Sequence, residues 1–292
     1  MRLLFVVCAV LSARDVAITF DDLPRGGDGG SMTYEPVREM TVRLLAPLRE
    51  QKIPLTVFVN PAKMPADDLR KILNLWLDAG AELGNHTWSH PSLNTTSVEE
   101  FEQEIVKADA ALRPITEARG KKLEFFRYPG LMMGPTAETK RAIVEFLKSR
   151  GYRNAPVTLD NSDYMFALGY TNPGLKERVE KEYIPYLESV IAFFEKRSVE
   201  VVGREFPQIM LLHASEMNSR MMPEILAMFR RRGYKFISLD QALQDEAYRL
   251  PENFVGRGGF SWIHRWSQAK GMPNKGEPDE PEWARQEFQR RH

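Results

Sequence analysis

Val16-Ala17-Ile18-Thr19-Phe20-Asp21-Asp22 is a short apolar run that stops on two acids. Central strands of a parallel sheet, buried on both faces, read as near-continuous apolar runs of this kind. Four further runs end on a charged or metal-binding side chain. Ala81-Glu-Leu-Gly-Asn85 is followed by His86, and Phe125-Phe126 by Arg127. Pro156-Val-Thr-Leu159 is followed by Asp160 and Asp163, and Ile209-Met-Leu-Leu212 by His213. Chance would scatter such residues over all surfaces. Their repetition at one end of successive strands is the pattern of an α/β enzyme whose active site sits over the carboxyl ends of its strands.

Working outward, seven β-then-α units can be read. The strand candidates are Val16–Phe20, Leu55–Val59, Ala81–Asn85, Phe125–Arg127, Ala155–Leu159, Ile209–His213 and Lys235–Leu239. Apolar residues at three-to-four spacing predict helices over Val37–Arg49, Ala66–Asp78, Ser97–Thr116, Thr136–Arg150, Leu175–Arg197 and Pro223–Arg232. Ser97 and Glu100 supply a capping box, and Pro65 and Pro223 sit near helix starts. Gly80, Gly151 and Gly233 each fall between a helix and a strand, where a left-handed cap is wanted. Strand–helix alternation with short links predicts an α/β fold, its parallel sheet closed or nearly closed by right-handed crossovers. Seven units make a TIM-barrel-like barrel one short of eight.

Forty basic residues balance forty acidic ones, so no long-range field draws the chain to nucleic acid or to an anionic membrane. A neutral or locally charged substrate fits better. Cys8 is the one cysteine, which excludes an intramolecular disulfide. Arg2, the apolar Leu3–Leu11 and Ser12-Ala13 together predict a signal peptide over residues 1–13 and a secreted or periplasmic protein. A buried first strand or helix is the alternative. The apolar stretch is too short for an integral membrane span. Residues 14–247 carry the barrel, and 248–292 form a C-terminal extension. Its aromatics Phe260, Trp262 and Trp266 are expected to pack on the barrel, with a sugar platform as the competing reading. Its Pro- and charge-rich end, 276–292, is expected to be mobile. Arg25-Gly-Gly-Asp-Gly-Gly30 lacks the Lys of a phosphate loop and is expected to be a flexible loop over the site.

His86-Thr-Trp-Ser-His90 places two imidazoles four residues apart. On one helical turn they face one side, close enough to share a metal. The spacing alone also fits two solvated histidines, but the chain holds only five, and a third, His213, ends another strand. Asp21-Asp22 can complete a metal set. Adjacent carboxylates repel unless a cation or a base compensates, so one can bind the metal and the other stay free as a base.

In order along the chain, Thr19-Phe-Asp-Asp22, His86-Thr-Trp-Ser-His90, Arg127-Tyr-Pro-Gly130, Asp160-Asn-Ser-Asp-Tyr164 and Leu211-Leu-His213 resemble the polysaccharide deacetylases of the NodB-homology type, carbohydrate esterase family 4. The resemblance spans about residues 15–240 and implies a distorted (β/α)7 barrel. It implies that Asp22, His86 and His90 hold a divalent metal: zinc, with cobalt or nickel as alternatives. It implies Asp21 as general base, Arg127 as its holder, His213 as general acid and Asp163 as the partner of that acid. Leu211 would line a pocket for the acetyl methyl, with Tyr128, Gly130 and Tyr164 as further substrate contacts. The implied activity is metal-dependent deacetylation of an N-acetylated carbohydrate such as a chitin oligomer or peptidoglycan. An O-acetyl xylan esterase and a non-catalytic carbohydrate-binding barrel are the alternatives. The sequence departs from the family at two points: Gly130 stands where an aromatic usually follows the proline, and Tyr164 where a Trp is usual. Both bear on sugar contacts more than on metal chemistry. Oligomeric state is not readable.

Overall fold

The structure, a computed structural model, describes residues 14–291. The expected leader over residues 1–13, Cys8 included, lies outside the described residues. The strands are β1 (Arg14–Leu23), β2 (Leu55–Val59), β3 (Glu82–Asn85), β4 (Phe125–Phe126), β5 (Arg153–Asn154), β6 (Gln208–His213) and β7 (Tyr234–Phe236). All pair in parallel, in the order β5-β4-β3-β2-β1-β6, with β7 on the first residues of β1. The helices are α1 (Tyr34–Glu50), α2 (Ala66–Asp78), α3 (Val98–Glu117), α4 (Ala137–Ser149), α5 (Asp163–Tyr170), α6 (Lys176–Val202), α7 (Glu216–Arg231), α8 (Leu239–Ala242), α9 (Trp262–Ala269) and α10 (Glu282–Arg291). The sheet curls on itself. Beyond β5 the chain crosses to β6, where Leu159 bridges Met210 and the Thr158 N–H donates to the Ile209 carbonyl at 3.0 Å. This is the expected distorted seven-stranded (β/α) barrel.

β1 is the central strand. Val16, Ala17, Ile18, Thr19 and Phe20 are all buried, because β2 pairs with Ile18–Leu23 and β6 with Val16–Asp21. α1 and α2 turn their apolar stripes inward, the latter through Leu69, Ile72, Leu73 and Trp76. Ser97 and Glu100 form the expected capping box at the start of α3. Trp76 is fully buried against Phe20, ring centroids 5.3 Å apart. Trp76→Ala leaves a large cavity under the central strand. It is expected to lower unfolding free energy by about 3–5 kcal/mol, measured by urea denaturation. A loss below about 1 kcal/mol would mean the site collapses freely.

Four expectations are corrected. The fifth strand is not Ala155–Leu159. Ladder pairing to β4 holds at Arg153–Asn154, and Pro156 offers no N–H to continue it. The chain then runs extended to a single bridge at Leu159. Pro223 does not open α7. That helix starts at Glu216, capped by Ser215 Oγ on the Asn218 N–H, and Pro223 sits inside it. α5, α8, α9 and α10 have no counterpart in the helices read from periodicity, since each runs only four to ten residues. The end of the chain, expected to be mobile, carries α10 with Trp283 and Ala284 buried. Trp283 Nε1 donates to Glu182 on α6 (2.7 Å), and its ring meets Phe166 edge-on at 5.5 Å. One packed Trp supplies the anchoring that net polarity concealed. Trp262 and Trp266 are buried, as expected of packing residues.

Candidate active site

The carboxyl ends of β1, β3, β4 and β6 meet over one cleft of about 480 Å³. Asp21, Asp22, His86, His90, Gly130, Leu211 and His213 line it, with Tyr164 from α5.

One ligand atom each from Asp22, His86 and His90 lies within 4.8 Å of the other two. His90 Nε2 is 3.3 Å and His86 Nε2 3.6 Å from Asp22 Oδ1. His86 Nδ1 lies 2.7 Å from the Arg127 carbonyl, which puts the ring proton on Nδ1 and leaves the Nε2 lone pair toward Asp22. Burial pushes both imidazoles down to about 4, against the pull of the Asp22 carboxylate, so both are neutral at pH 7. Burial acts to raise Asp22, but the Lys63 ammonium, with His90, His213 and His86, outweighs it and keeps the carboxyl well below the usual range. Asp22 Oδ1 is buried and receives no hydrogen bond. Among the described residues, the Lys63 ammonium is the one charge paired with that oxygen, at 3.2 Å. Two neutral imidazoles facing one ionised carboxylate oxygen fit a divalent cation.

The backbone that holds this set is not helical, contrary to the expectation for His86–His90. The segment is a loop after β3 in which Thr87 and His90 take positive φ (68° and 65°), as does Asp22 (66°). Left-handed backbone in non-glycine residues clusters at functional sites and must be held by its surroundings. Here the holders are two asparagines. Asn60, just after β2, donates Nδ2 to the His86 carbonyl at 2.5 Å, and Asn85 Oδ1 accepts the Thr87 N–H at 2.9 Å. Both fall at strand ends in the sequence. Neutral amides at those positions carry no charge signal in the sequence.

Asp21 is the second carboxylate facing His86. Its Oδ1 accepts Arg127 Nη1 at 2.6 Å, and its Oδ2 is 3.7 Å from His86 Nε2. Arg127 is fully buried, spanning Thr19 Oγ1 (2.7 Å) and the Ala155 carbonyl (3.0 Å), with its guanidinium 4.2 Å over the Phe58 ring. Burial raises the Asp21 pKa, and the Arg127 charge opposes that rise. The result is a carboxylate more basic than one in water. Arg127→Met leaves Asp21 buried without its counter-charge. It is expected to destabilise the fold by about 3–5 kcal/mol, seen as an earlier denaturant midpoint.

His213 ends β6 in register with Asp21 on β1. Its Nδ1 is 2.6 Å from Asp163 Oδ1, and its N–H donates to Oδ2 at 2.7 Å. Asn218 Nδ2 adds a third bond to that carboxylate at 2.6 Å and was missed in the sequence. Burial lowers the imidazole, but Asp163, aided by Asp22 and Asp21, raises it to about 9. Asp160 also lines the cleft; burial, with Glu277 and Asp163, lifts it to about 6.

Of the expected substrate contacts, Gly130, Tyr164 and Leu211 face the cleft. Tyr128 does not: it is 1% exposed, its ring packed edge-on to Phe126 at 5.1 Å. The glycine loop 25–30 is tied down. Arg25 bonds Asp28 at 2.7 and 3.0 Å, and Asp28 also accepts the Gly30 and Glu216 N–H groups.

Residues 10–154 match the polysaccharide deacetylase family model. A chitooligosaccharide deacetylase of Sinorhizobium fredii is 30% identical over 96 residues, which cover 31% of this chain and 44% of that protein. The match thus takes in less than half of that relative's length. Among solved structures, the chitin deacetylase of Colletotrichum lindemuthianum superposes with a TM-score of 0.54 at 21% identity, covering 84% of this chain and 92% of that one. A family 4 carbohydrate esterase pseudoenzyme of Bacillus anthracis gives 0.56 at 18% identity, covering 80% and 66%. At these identities the structural likenesses establish the fold. The family match takes in Asp21, Asp22, His86, His90 and Arg127, while Asp163 and His213 lie beyond it. By that match the chain belongs to the polysaccharide deacetylase family, and its fold is the one seen in solved structures of carbohydrate esterase family 4.

Proposed function

We propose that the protein is a metal-dependent hydrolase that removes acetyl groups from an N-acetylated saccharide. The reading rests on one observation: a set of metal donors, a buried carboxylate and a carboxylate-paired histidine share one cleft. Asp22, His86 and His90 would hold a divalent cation, which would supply Lewis acidity for the attack of water on the acetyl carbonyl. Zinc is the metal this donor set favours, with cobalt or nickel able to replace it.

Asp21 takes a proton from water as its oxygen attacks the acetyl carbon. Arg127 fixes the carboxylate, and burial makes it a stronger base than it would be in solvent. The Gly130 N–H is offered to the oxygen on which negative charge develops. As the C–N bond breaks, the amine cannot leave as an anion. His213, charged at neutral pH and aligned through Nδ1 by Asp163, gives it a proton from Nε2. Acetate and a free amine result. Leu211 offers an apolar contact for the acetyl methyl, and Tyr164 offers a ring for the sugar. Export from the cytoplasm, argued from residues 1–13, belongs to the same proposal.

Mere sugar binding requires neither a base nor an acid, which favours turnover over a binding barrel. Metal analysis of purified protein, then an acetate-release screen over chitin, peptidoglycan and xylan fragments, tests the reading. Release is expected from N-acetylated fragments, abolished by a chelator and restored by zinc. Release from acetylxylan alone would point to an O-acetyl esterase. Sugar affinity indifferent to chelator, without acetate release, would leave a binding barrel.

A further inference from the structure

Two residues lining the cleft come from the C-terminal extension: Gly259 and, on α10, Phe288. Gly259 is pressed onto the Gly130 loop so closely that a Cβ there would fall 1.7 Å from the Gly130 oxygen. No other residue fits that approach. The Phe288 ring stands edge-on to Tyr164 at 5.3 Å, and Tyr164 stands edge-on to His213 at 6.0 Å. A line of rings thus runs from the extension to the imidazole.

The platform under Phe288 is fixed at several points. Besides the buried Trp283, Glu280 accepts Ser162 Oγ at 2.6 Å, next to Asp163. Arg291 pairs with Glu287 at 2.8 Å, and its guanidinium packs on Gly29 of the tied glycine loop. An aromatic ring on a helix locked by its neighbours is positioned more tightly than one on a loop.

From this placement we propose that Phe288 is a specificity-determining residue that closes one end of the cleft, so that the site takes short acetylated oligosaccharides and chain ends rather than the interior of a long polymer. The proposal rests on the deacetylase reading above. At about 480 Å³ the cleft falls in the lower half of the range for small-ligand sites, roughly 300–1,000 Å³. An apolar ring face is suited to the C–H face of a pyranose, and its bulk blocks a further ring.

The test compares the full chain with Phe288→Ala and Phe288→Trp. Acetate release is measured on N-acetylglucosamine oligomers from the monomer to the hexamer, with kcat and KM resolved, and affinity for the diacetylated disaccharide is measured by calorimetry. Thermal unfolding checks that both variants fold. For Phe288→Ala, KM for the disaccharide should rise about fivefold or more, the loss appearing in KM rather than kcat. Its preference should shift toward the hexamer, and Phe288→Trp should keep the short-substrate profile. An unchanged length profile in Phe288→Ala, with the wild type active, overturns this inference alone. If the wild type releases no acetate, the calorimetric arm decides: weaker disaccharide binding in Phe288→Ala upholds the wall, and equal binding overturns it. A wild type that neither turns over nor binds the disaccharide overturns the deacetylase reading and this inference together.

Discussion

Asp22→Ala and His86→Ala should lose bound metal and activity together, whereas Asp21→Asn should keep the metal and lose turnover alone. Each of the first two removes one of three converging donors. Metal affinity is expected to fall by at least about 100-fold, the upper end of what losing only a supporting contact costs. Asn at position 21 preserves shape, and its carbonyl oxygen can still accept Arg127 Nη1, so the buried guanidinium keeps a partner. An amide cannot take the proton from water. The expected loss in kcat is about 10²–10⁴-fold, the usual worth of a positioned base. Elemental analysis beside acetate release on the same preparations separates the two effects. Near wild-type rates in Asp21→Asn would end its assignment as base.

The second large effect is expected at His213. Alanine there removes the proton donor, and the penalty should depend on the leaving group. An N-acetyl amide should lose about 10²–10⁴-fold, whereas an activated acetate ester, whose leaving group departs without a proton, should lose far less. Equal losses on both would contradict the acid role. The pH profile follows with a definite sign. A histidine raised to about 9 stays protonated through neutral pH, so amide turnover should hold to alkaline pH and then fall as the proton is lost. A cation on Asp22 cancels part of the field that raises His213, so the inflection in metal-loaded enzyme should lie below 9. Asp163→Asn removes the main charge raising it and should move the inflection further down. An inflection unmoved in that variant would detach Asp163 from the acid.

Much of this was legible in the sequence because buried parallel strands leave a plain signature. The apolar runs Val16–Phe20, Leu55–Val59 and Ile209–Leu212 are strands where expected, and the side chains just beyond several of them line the cleft. Gly80, Gly151 and Gly233 take the left-handed backbone that their positions suggested. What stayed hidden has physical reasons. Pro156 broke a strand that composition alone would continue. The His86–His90 spacing suits a helix, yet Asn60 and Asn85, distant in sequence and near it respectively, bend it into a strained loop. Tyr128 sits one residue beyond Arg127, but its ring turns into the core beside Phe126. α10 escaped notice because a polar helix anchored by one Trp carries almost no periodic signal.

The pairing of Asp21 with His213 across β1 and β6 has a lasting consequence. Adjacent strands keep a spacing of about 4.8 Å through their backbone hydrogen bonds, whatever side chains they carry. The gap between these two groups is therefore set by the least mutable part of the molecule, while what surrounds the ligand hangs on loops and a terminal helix. Exchanging those peripheral segments among relatives should retune which molecule is chosen and leave the interval between the two strand-end groups untouched.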